Sequence, residues 1–329
     1  MRKKVFMSNY FYISPSNDGW MNLAADEWFL DHLQPQDMIL YFYTNENAVI
    51  IGKNQNPWKE CDLAAMDHDG VQLVRRITGG GAVYHDMGNL NFSFIAGEGI
   101  YDVEKQLNVI LKAVRSFGIP CEFSGRNDLL ADGRKFSGNA FIKRGQMCQH
   151  HGTLLLNANL SKLQNYLRPD PRKLQAKGVS SVRSRVCNLQ EFTPAVTADA
   201  MLTAIRKSFA ETYGEVIDFQ PTPEELTAMM LYREKQASWD WRLGKTPGFD
   251  LELDTRFPWG GVQILLTAKN SIVTEVSVYS DAMDPALPEE VKIRLTGCRF
   301  SSKDLAEALM ASEKKTMQDI AKFILSENL

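Results

Sequence analysis

Long apolar runs are missing from this sequence. No stretch reaches the length needed to span a bilayer, and the basic start "MRKKVFMSNYFYISPSNDGW" is not followed by the apolar core of a signal peptide. A soluble, cytoplasmic protein is expected. An excess of charge of either sign is missing too: 37 Lys and Arg stand against 40 Asp and Glu, a net charge of −3. The chain therefore lacks the basic surface with which a dedicated nucleic-acid binder holds phosphates. Cysteine is sparse and odd in number, with Cys61, Cys121, Cys148, Cys187 and Cys298 scattered and no C-x-x-C pair. That excludes a disulfide framework and fits a reducing compartment. Two nucleotide signatures are absent as well: no G-x-x-x-x-G-K-S/T for a P-loop, and no G-x-G-x-x-G after a strand for a dinucleotide fold.

What is present is enough apolar material, 44% of 329 residues, for two domains with their own cores. "ILYFYTNENAVIIGKNQNP" reads as two apolar runs around Thr44, Asn45, Glu46 and Asn47, a hairpin-like pairing. "LNFSFIAG" places Leu90, Phe92 and Phe94 at period two, a half-buried strand, and "GTLLLNANL" reads as another. Helices are expected in "MNLAADEWFLDHL", in "DVEKQLNVILKAVRSFGIP" up to Gly118, and in "TADAMLTAIRKSFAETYG" up to Gly214. In "TPEELTAMMLYREKQAS", Thr222 is the N-cap, Pro223 follows it, and Glu225 completes a capping box. The turn-rich "WDWRLGKTPGFD" marks a boundary near residues 244–250, giving a domain of residues 1–246 and a smaller one of residues 247–329. "GGVQILLTAKNSIVTEVSVYS" in the second reads as a hairpin, followed by helical spacing to the end. Strands and helices alternate without a βαβα rhythm, which predicts an α+β fold.

Four stretches carry chemistry-bearing residues. In "RRITGGGAVYHD" (Arg75 to Asp86) three consecutive glycines serve either a tight turn or a loop that lies against a ligand. "SGRNDLLADGRKFSGNAF" brings Asp128 and Lys135 close in sequence. "QHHGTLLLN" opens a strand with His150 and His151; neighbours on a strand face opposite ways and further ligands at zinc spacing are missing, so zinc is not expected. "KLQAKGVSSVRSRVCNL" (Lys173 to Leu189) mixes basic residues with glycine and serine and reads as a loop. Taken singly these are a turn, a surface lysine and a solvated loop. Together their arginines and lysines can converge on one anionic ligand.

These four stretches, with "IGKNQNPWKEC" and "SWDWRLGKTPGF", occur in order over nearly the whole chain and resemble the lipoate–protein ligase A family. The resemblance implies a mixed β-sheet flanked by helices, like the catalytic domain of biotin protein ligases, with a small α+β C-terminal domain. It implies ATP and Mg2+ as cofactors and lipoate as substrate. The activity implied is attack of the lipoate carboxylate on the α-phosphorus of ATP, then transfer of the lipoyl group to a lysine of an acceptor. The acceptors implied are lipoyl domains of 2-oxoacid dehydrogenase complexes and the glycine cleavage H protein. Lys135 matches the family's essential lysine, and Asp128 is a candidate magnesium ligand. Arg75, Gly80, Gly81, Ala82, Val83, Tyr84, His85, Ser137, His151, Gly152, Lys177, Gly178 and Val179 match the positions that bind ATP and the lipoyl-adenylate.

Three rivals stay open on the sequence. An acyl transferase of the same fold would work through a cysteine thioester, with Cys148 in "RGQMCQHHG" as its candidate nucleophile. A biotin protein ligase would carry a G-R-G-R-x-G loop, where "RRITGGGAV" stands instead. A protein that only sequesters lipoate would have no need of the charge on Lys135.

Overall fold

The computed structural model describes residues 8–124, 127–167, 186–243 and 250–327, apart from the side chains of Trp58, Lys59, Leu163 and Gln164. In chain order its strands are β1 (Asn9–Ile13), β2 (Met38–Thr44), β3 (Asn47–Ile51), β4 (Gln72–Arg75), β5 (Val83–Asp86), β6 (Asn89–Gly97), β7 (Cys121–Ser124), β8 (Asp128–Ala131), β9 (Arg134–Arg144), β10 (Met147–Leu155), β11 (Val216–Asp218), β12 (Leu251–Phe257), β13 (Gly260–Lys269) and β14 (Ile272–Ser280). The main helices are α1 (Gly19–His32), α2 (Val103–Arg115), α3 (Ala198–Tyr213), α4 (Pro223–Ala237), α5 (Leu287–Leu295), α6 (Ser302–Met310) and α7 (Lys315–Ser326).

Eight strands form one mixed sheet in the order β11-β1-β2-β6-β10-β9-β8-β7, parallel around β1 and antiparallel beyond β2. Period-two alternation divides β2 between two cores. Met38, Leu40 and Phe42 face α2 and α3 with Phe92, Phe94, Ile110 and Ile205. Ile39, Tyr41 and Tyr43 face α1 with Leu23, Phe29 and Met229. The result is a sheet flanked by helices on both faces. The four helices α1 to α4 begin where the sequence supplies a cap: Asp18, Asp102 and Thr197 accept from backbone N–H groups of the first turn, and Thr222 with Glu225 forms the expected capping box.

Two strand expectations are corrected. β2 and β3 do not form a hairpin. Both edges of β2 are taken by β1 and β6, so β3 leaves for a separate three-stranded sheet, β4-β3-β5. β6 is not half-buried but buried along its whole length, because helices cover both faces of the sheet.

The C-terminal unit is a β12-β13-β14 meander packed on α5, α6 and α7 around its own apolar cluster, which includes Ile264, Val291, Leu305 and Ile320. Asn270 and Ser271, with φ of 52° and 59°, make the tight turn of the expected β13–β14 hairpin. The expected boundary near residues 244–250 falls largely on residues 244–249, outside the described residues.

Candidate active site

Lys135 is placed by a hairpin and a bulge. Asp132 and Gly133, with φ of 50° and 68°, supply the two left-handed residues that a tight turn between β8 and β9 demands. Leu130 then pairs with Lys135 but Leu129 with Ser137, so β9 carries one extra residue. A bulge of this kind re-aims the side chain beside it. The Lys135 ammonium lies 2.6 Å from Asp128 Oδ1, both groups about one-third exposed. Cys187 N–H donates to the Lys135 carbonyl at 2.9 Å, and Val186 bridges to the same residue. The end of the stretch from Lys173 to Leu189 is thereby tied to the lysine.

The glycine triplet follows β4, and the two arginines before it part ways. Adjacent residues at a strand end face oppositely. Arg75 turns from the cavity and donates to five carbonyls: Gly52, Lys53, Gln55, Trp241 and Arg242. Arg76 lines the cavity and staples the triplet, donating to the carbonyls of Ile50, Gly79 and Gly81. Burial lowers both guanidinium pKa values to about 10, which leaves them charged at neutral pH. Gly80 takes φ +95°, and a Cβ there would stand 2.8 Å from Arg76 Nη2. The triplet is therefore a turn that requires glycine at Gly80, and Gly80 and Gly81 form part of the cavity wall.

A cavity of about 320 Å³ opens between the large sheet and the small one. Its floor is one row of the large sheet: Tyr43 on β2 faces Asn91 on β6, Asn91 faces Thr153 on β10, and Gly138 N–H on β9 donates to Thr153 Oγ1 at 3.1 Å. At about 4.8 Å per strand this row runs about 14 Å. Lys135 lies beyond the Gly138 end. Tyr43, Leu23, Ile50 and His85 enclose the opposite end. Gly152 reaches the cavity through its backbone, and a Cβ there would collide with Asn139 Oδ1 at 2.5 Å and Phe92 at 2.6 Å, so no side chain fits. Met283 closes part of the wall from the C-terminal unit, its Sδ 3.8 Å from Asn127 Nδ2.

The paired histidines have separate duties, as alternation requires. His151 borders the cavity and links three elements: Nδ1 is 3.1 Å from Asp26 Oδ2 on α1, and Nε2 is 2.8 Å from Thr78 Oγ1 in the glycine loop. The order Asp–His–Thr resembles a nucleophilic triad, but Thr78 is wholly buried and off the cavity wall, so the arrangement positions the loop. His150 faces the other way, stacked on Phe94 and Phe141. Burial lowers its pKa to about 3. Its neutral ring donates Nε2–H to Asn139 Oδ1 at 2.9 Å, and the Asn139 amide nitrogen in turn donates to the Asn127 carbonyl at 3.0 Å.

The structure thus brings Gly80, Gly81, Ala82, Val83, Tyr84, His85, Lys135, His151 and Gly152 onto one cavity. It places Arg75 on main-chain carbonyls and leaves Ser137 buried under the floor. Asp128 meets an ammonium, and no group of three His, Cys, Asp or Glu residues that could cage a metal occurs among the described residues. Cys148 is buried in β10 off the cavity wall, and burial raises its thiol pKa. No disulfide joins the five cysteines. Lys177, Gly178 and Val179 lie outside the described residues. Arg76, Tyr43, Asn91 and Met283 had not been expected. The first two were open to detection by strand alternation from Arg75 and Tyr41; Met283 comes from a distant segment that gives no local signal.

A mixed sheet flanked by helices, with a glycine loop and one lysine on the wall of a single cavity, is the arrangement of a lipoate/biotin ligase-like catalytic fold. The chain belongs to the lipoyl protein ligase A/B family: residues 18–210 match the model of its catalytic domain, and residues 246–327 match that of the bacterial lipoate protein ligase C-terminus. It is similar to LipL1 of P. falciparum, solved in complex with lipoate, at 28% identity and a TM-score of 0.83, over 98% of this chain and 100% of that one. It is also similar to a lipoate–protein ligase A bound with ATP (28% identity, TM-score 0.63, 73% of this chain and 99% of that one). A third similar structure is a bi-partite lipoate protein ligase of T. acidophilum, studied with its E2 lipoyl domain (28%, TM-score 0.65, 75% of this chain and 100% of that one). Among the described residues no helix is long and apolar enough to cross a membrane.

Proposed function

We propose that this chain activates lipoate with ATP and passes the lipoyl group to a lysine of an acceptor lipoyl domain. The observation that carries this reading is the isolation of one cation. Arg76 and Lys135 are the Lys/Arg cations on the cavity wall among the described residues, and Arg76 is committed to three carbonyls. Lys135 has only Asp128 to leave. Its ammonium can hold the lipoate carboxylate against the α-phosphate, two anions that otherwise repel. A carboxylate oxygen attacks the α-phosphorus, pyrophosphate departs, and the charge on both oxygens is balanced where it develops. The acceptor amine then attacks the acyl carbon, AMP leaves, and the amine gives up a proton as the amide forms.

Magnesium fits this site only as the partner of ATP. Asp128 is a single carboxylate already paired with Lys135, too little for an all-protein cage but enough to accompany substrate phosphates. Arg76 stands on the cavity wall and, by holding the Ile50, Gly79 and Gly81 carbonyls, shapes the backbone of Gly80, Gly81, Ala82, Val83 and Tyr84 that this reading assigns to ligand binding; Arg75 has no direct part in it. Lys177, Gly178 and Val179 complete the proposal as the adenylate loop, and acceptors are E2 lipoyl domains and the glycine cleavage H protein. The thioester rival is disfavoured by the buried Cys148, whose replacement by serine should leave ATP-dependent lipoylation within a few-fold.

The test is pyrophosphate release with ATP and lipoate. Lys135→Ala is expected to fold normally and to lose on the order of a hundred- to a thousand-fold in rate, the range seen when one well-placed charge donor is removed. Lys135→Arg should restore little of it, because a planar fork differs from a point charge. Near-normal release in Lys135→Ala would refute the reading.

A further inference from the structure

Arg75 is 7% exposed and stands off the cavity wall, so it touches no ligand held there. Among the described residues its five hydrogen bonds divide between two pieces of main chain. Three end on the turn after β3, at the Gly52, Lys53 and Gln55 carbonyls. Two end on the short helix Trp239–Arg242: Nε–H donates to the Trp241 carbonyl at 2.8 Å and Nη2–H to that of Arg242 at 2.7 Å. Desolvating a guanidinium is costly even when its donors are satisfied. An apolar residue would end β4 without that cost.

The contact is returned. Trp241 Nε1–H donates to the carbonyl of Arg75 itself at 2.9 Å, and to Gln236 Oε1 at 2.9 Å. Gln236 Nε2 donates to Glu27 Oε2 at 3.2 Å, which sets the amide so that its oxygen faces the indole. Lys235 Nζ, 2.7 Å from Glu27 Oε1, lies 4.2 Å from the centre of the Trp241 ring. The indole is thus held on its edge and on its face. Arg75 and Trp241 form a reciprocal clasp, each side chain bound to the other's backbone.

The clasp joins two segments that bear on the site. On one side Arg75 is followed directly by Arg76, which holds the Gly79 and Gly81 carbonyls and so shapes the glycine loop. On the other, helix Trp239–Arg242 ends the catalytic unit, and the C-terminal unit follows from residue 250. None of Trp239 to Arg242 lines the cavity. A ligand in the cavity reaches this helix only through what lies between them, and the clasp is the direct connection to the loop.

We propose that Arg75 and Trp241 are positioning residues that couple helix Trp239–Arg242 to the glycine loop, so that lipoate held by the loop steadies the helix and a loosened helix weakens lipoate. The proposal rests on lipoate as the ligand of the cavity. Such coupling is reciprocal: the factor by which the ligand stabilises the closed helix is the factor by which opening the helix lowers affinity.

The experiment follows hydrogen–deuterium exchange of the full chain by mass spectrometry, with and without saturating lipoate, and measures lipoate affinity by calorimetry. We expect lipoate to slow exchange in residues 239–243 of the wild type by roughly tenfold, within the usual range of coupling between sites. Trp241→Phe keeps a ring for Lys235 and removes the N–H. In it the slowing should vanish, and lipoate affinity should fall by up to about the same tenfold. Arg75→Lys keeps the charge but loses the fork that spans two carbonyls, and should behave alike. A clasp that serves stability alone predicts variants that unfold at lower temperature with the lipoate response intact. That result, or wild-type exchange in residues 239–243 indifferent to bound lipoate, would overturn the coupling. The wild-type measurement decides even where neither variant folds. Coupling observed without pyrophosphate release would overturn the ligase reading alone, and absence of lipoate binding would overturn both.

Discussion

Gly80 shows how a single residue joins fold to function here. Its φ of +95° is closed to β-branched residues, and the missing Cβ leaves room for Arg76 Nη2. Gly80→Val should therefore lower both the melting temperature and lipoate affinity, with about 1–3 kcal/mol of strain in the folded state. Thermal unfolding and calorimetry on one preparation check it; a variant that keeps full stability would contradict the geometry. His85 and His150 add a pH signature. Each has a folded pKa of about 3, lowered by burial, against about 6.5 unfolded. Between these values the unfolded chain binds more protons, so stability is full above pH 6.5 and falls as pH drops. The loss is about 1.4 kcal/mol per pH unit for each histidine. Urea unfolding at pH 7, 6 and 5 should show it, with a shallower slope in His150→Gln; equal slopes would mean that His150 is not the neutral, buried ring described.

At the scale of elements, much of the site was legible because local rules place it. The capping box at Thr222 and the stop at Gly118 are properties of a few adjacent residues, and the structure keeps both. The Asp132-Gly133 turn before Lys135 is as local, although it enters only with the structure. Asp132-Gly133 also yields a test: Gly133→Val puts a β-branched residue at φ 68°. It should cost about 1–2 kcal/mol in stability and slow pyrophosphate release by tilting Lys135. Unchanged kinetics would remove the turn from the site's support. What was not legible depended on partners distant in sequence. The runs of β2 and β3 look like a hairpin until β1 and β6 claim both edges of β2. Leu90, Phe92 and Phe94 suggest one buried face until α1 covers the other. Arg75 and Arg76 are indistinguishable in composition; only the end of β4 assigns one to carbonyls and the other to the cavity.

At the scale of the whole molecule, the C-terminal unit reaches into the site. Gly80 N–H donates to the Ala282 carbonyl at 3.2 Å, Ser280 N–H to the Asn54 carbonyl at 2.7 Å, and Asn54 Nδ2 to the Pro285 carbonyl at 3.0 Å. Met283 completes the cavity wall. A Cβ on Gly79 would lie 2.6 Å from the Ala282 carbonyl oxygen and 2.9 Å from that of Met283, and neither backbone atom can swing aside as a side chain would. Gly79→Ala should therefore push residues 281–284 off the glycine loop while both cores, which do not include Gly79, stay packed. Small-angle scattering should record a larger radius of gyration. kcat/KM for lipoate should fall on the order of ten- to a hundred-fold, as expected when positioning groups move by an ångström or so. Met283→Ala separates the two contributions, because it removes the wall and leaves the carbonyl contacts in place. Its scattering should match the wild type, and its loss in kcat/KM should be smaller. If Gly79→Ala changes neither the radius nor the kinetics, the contact between the units has no part in forming the site.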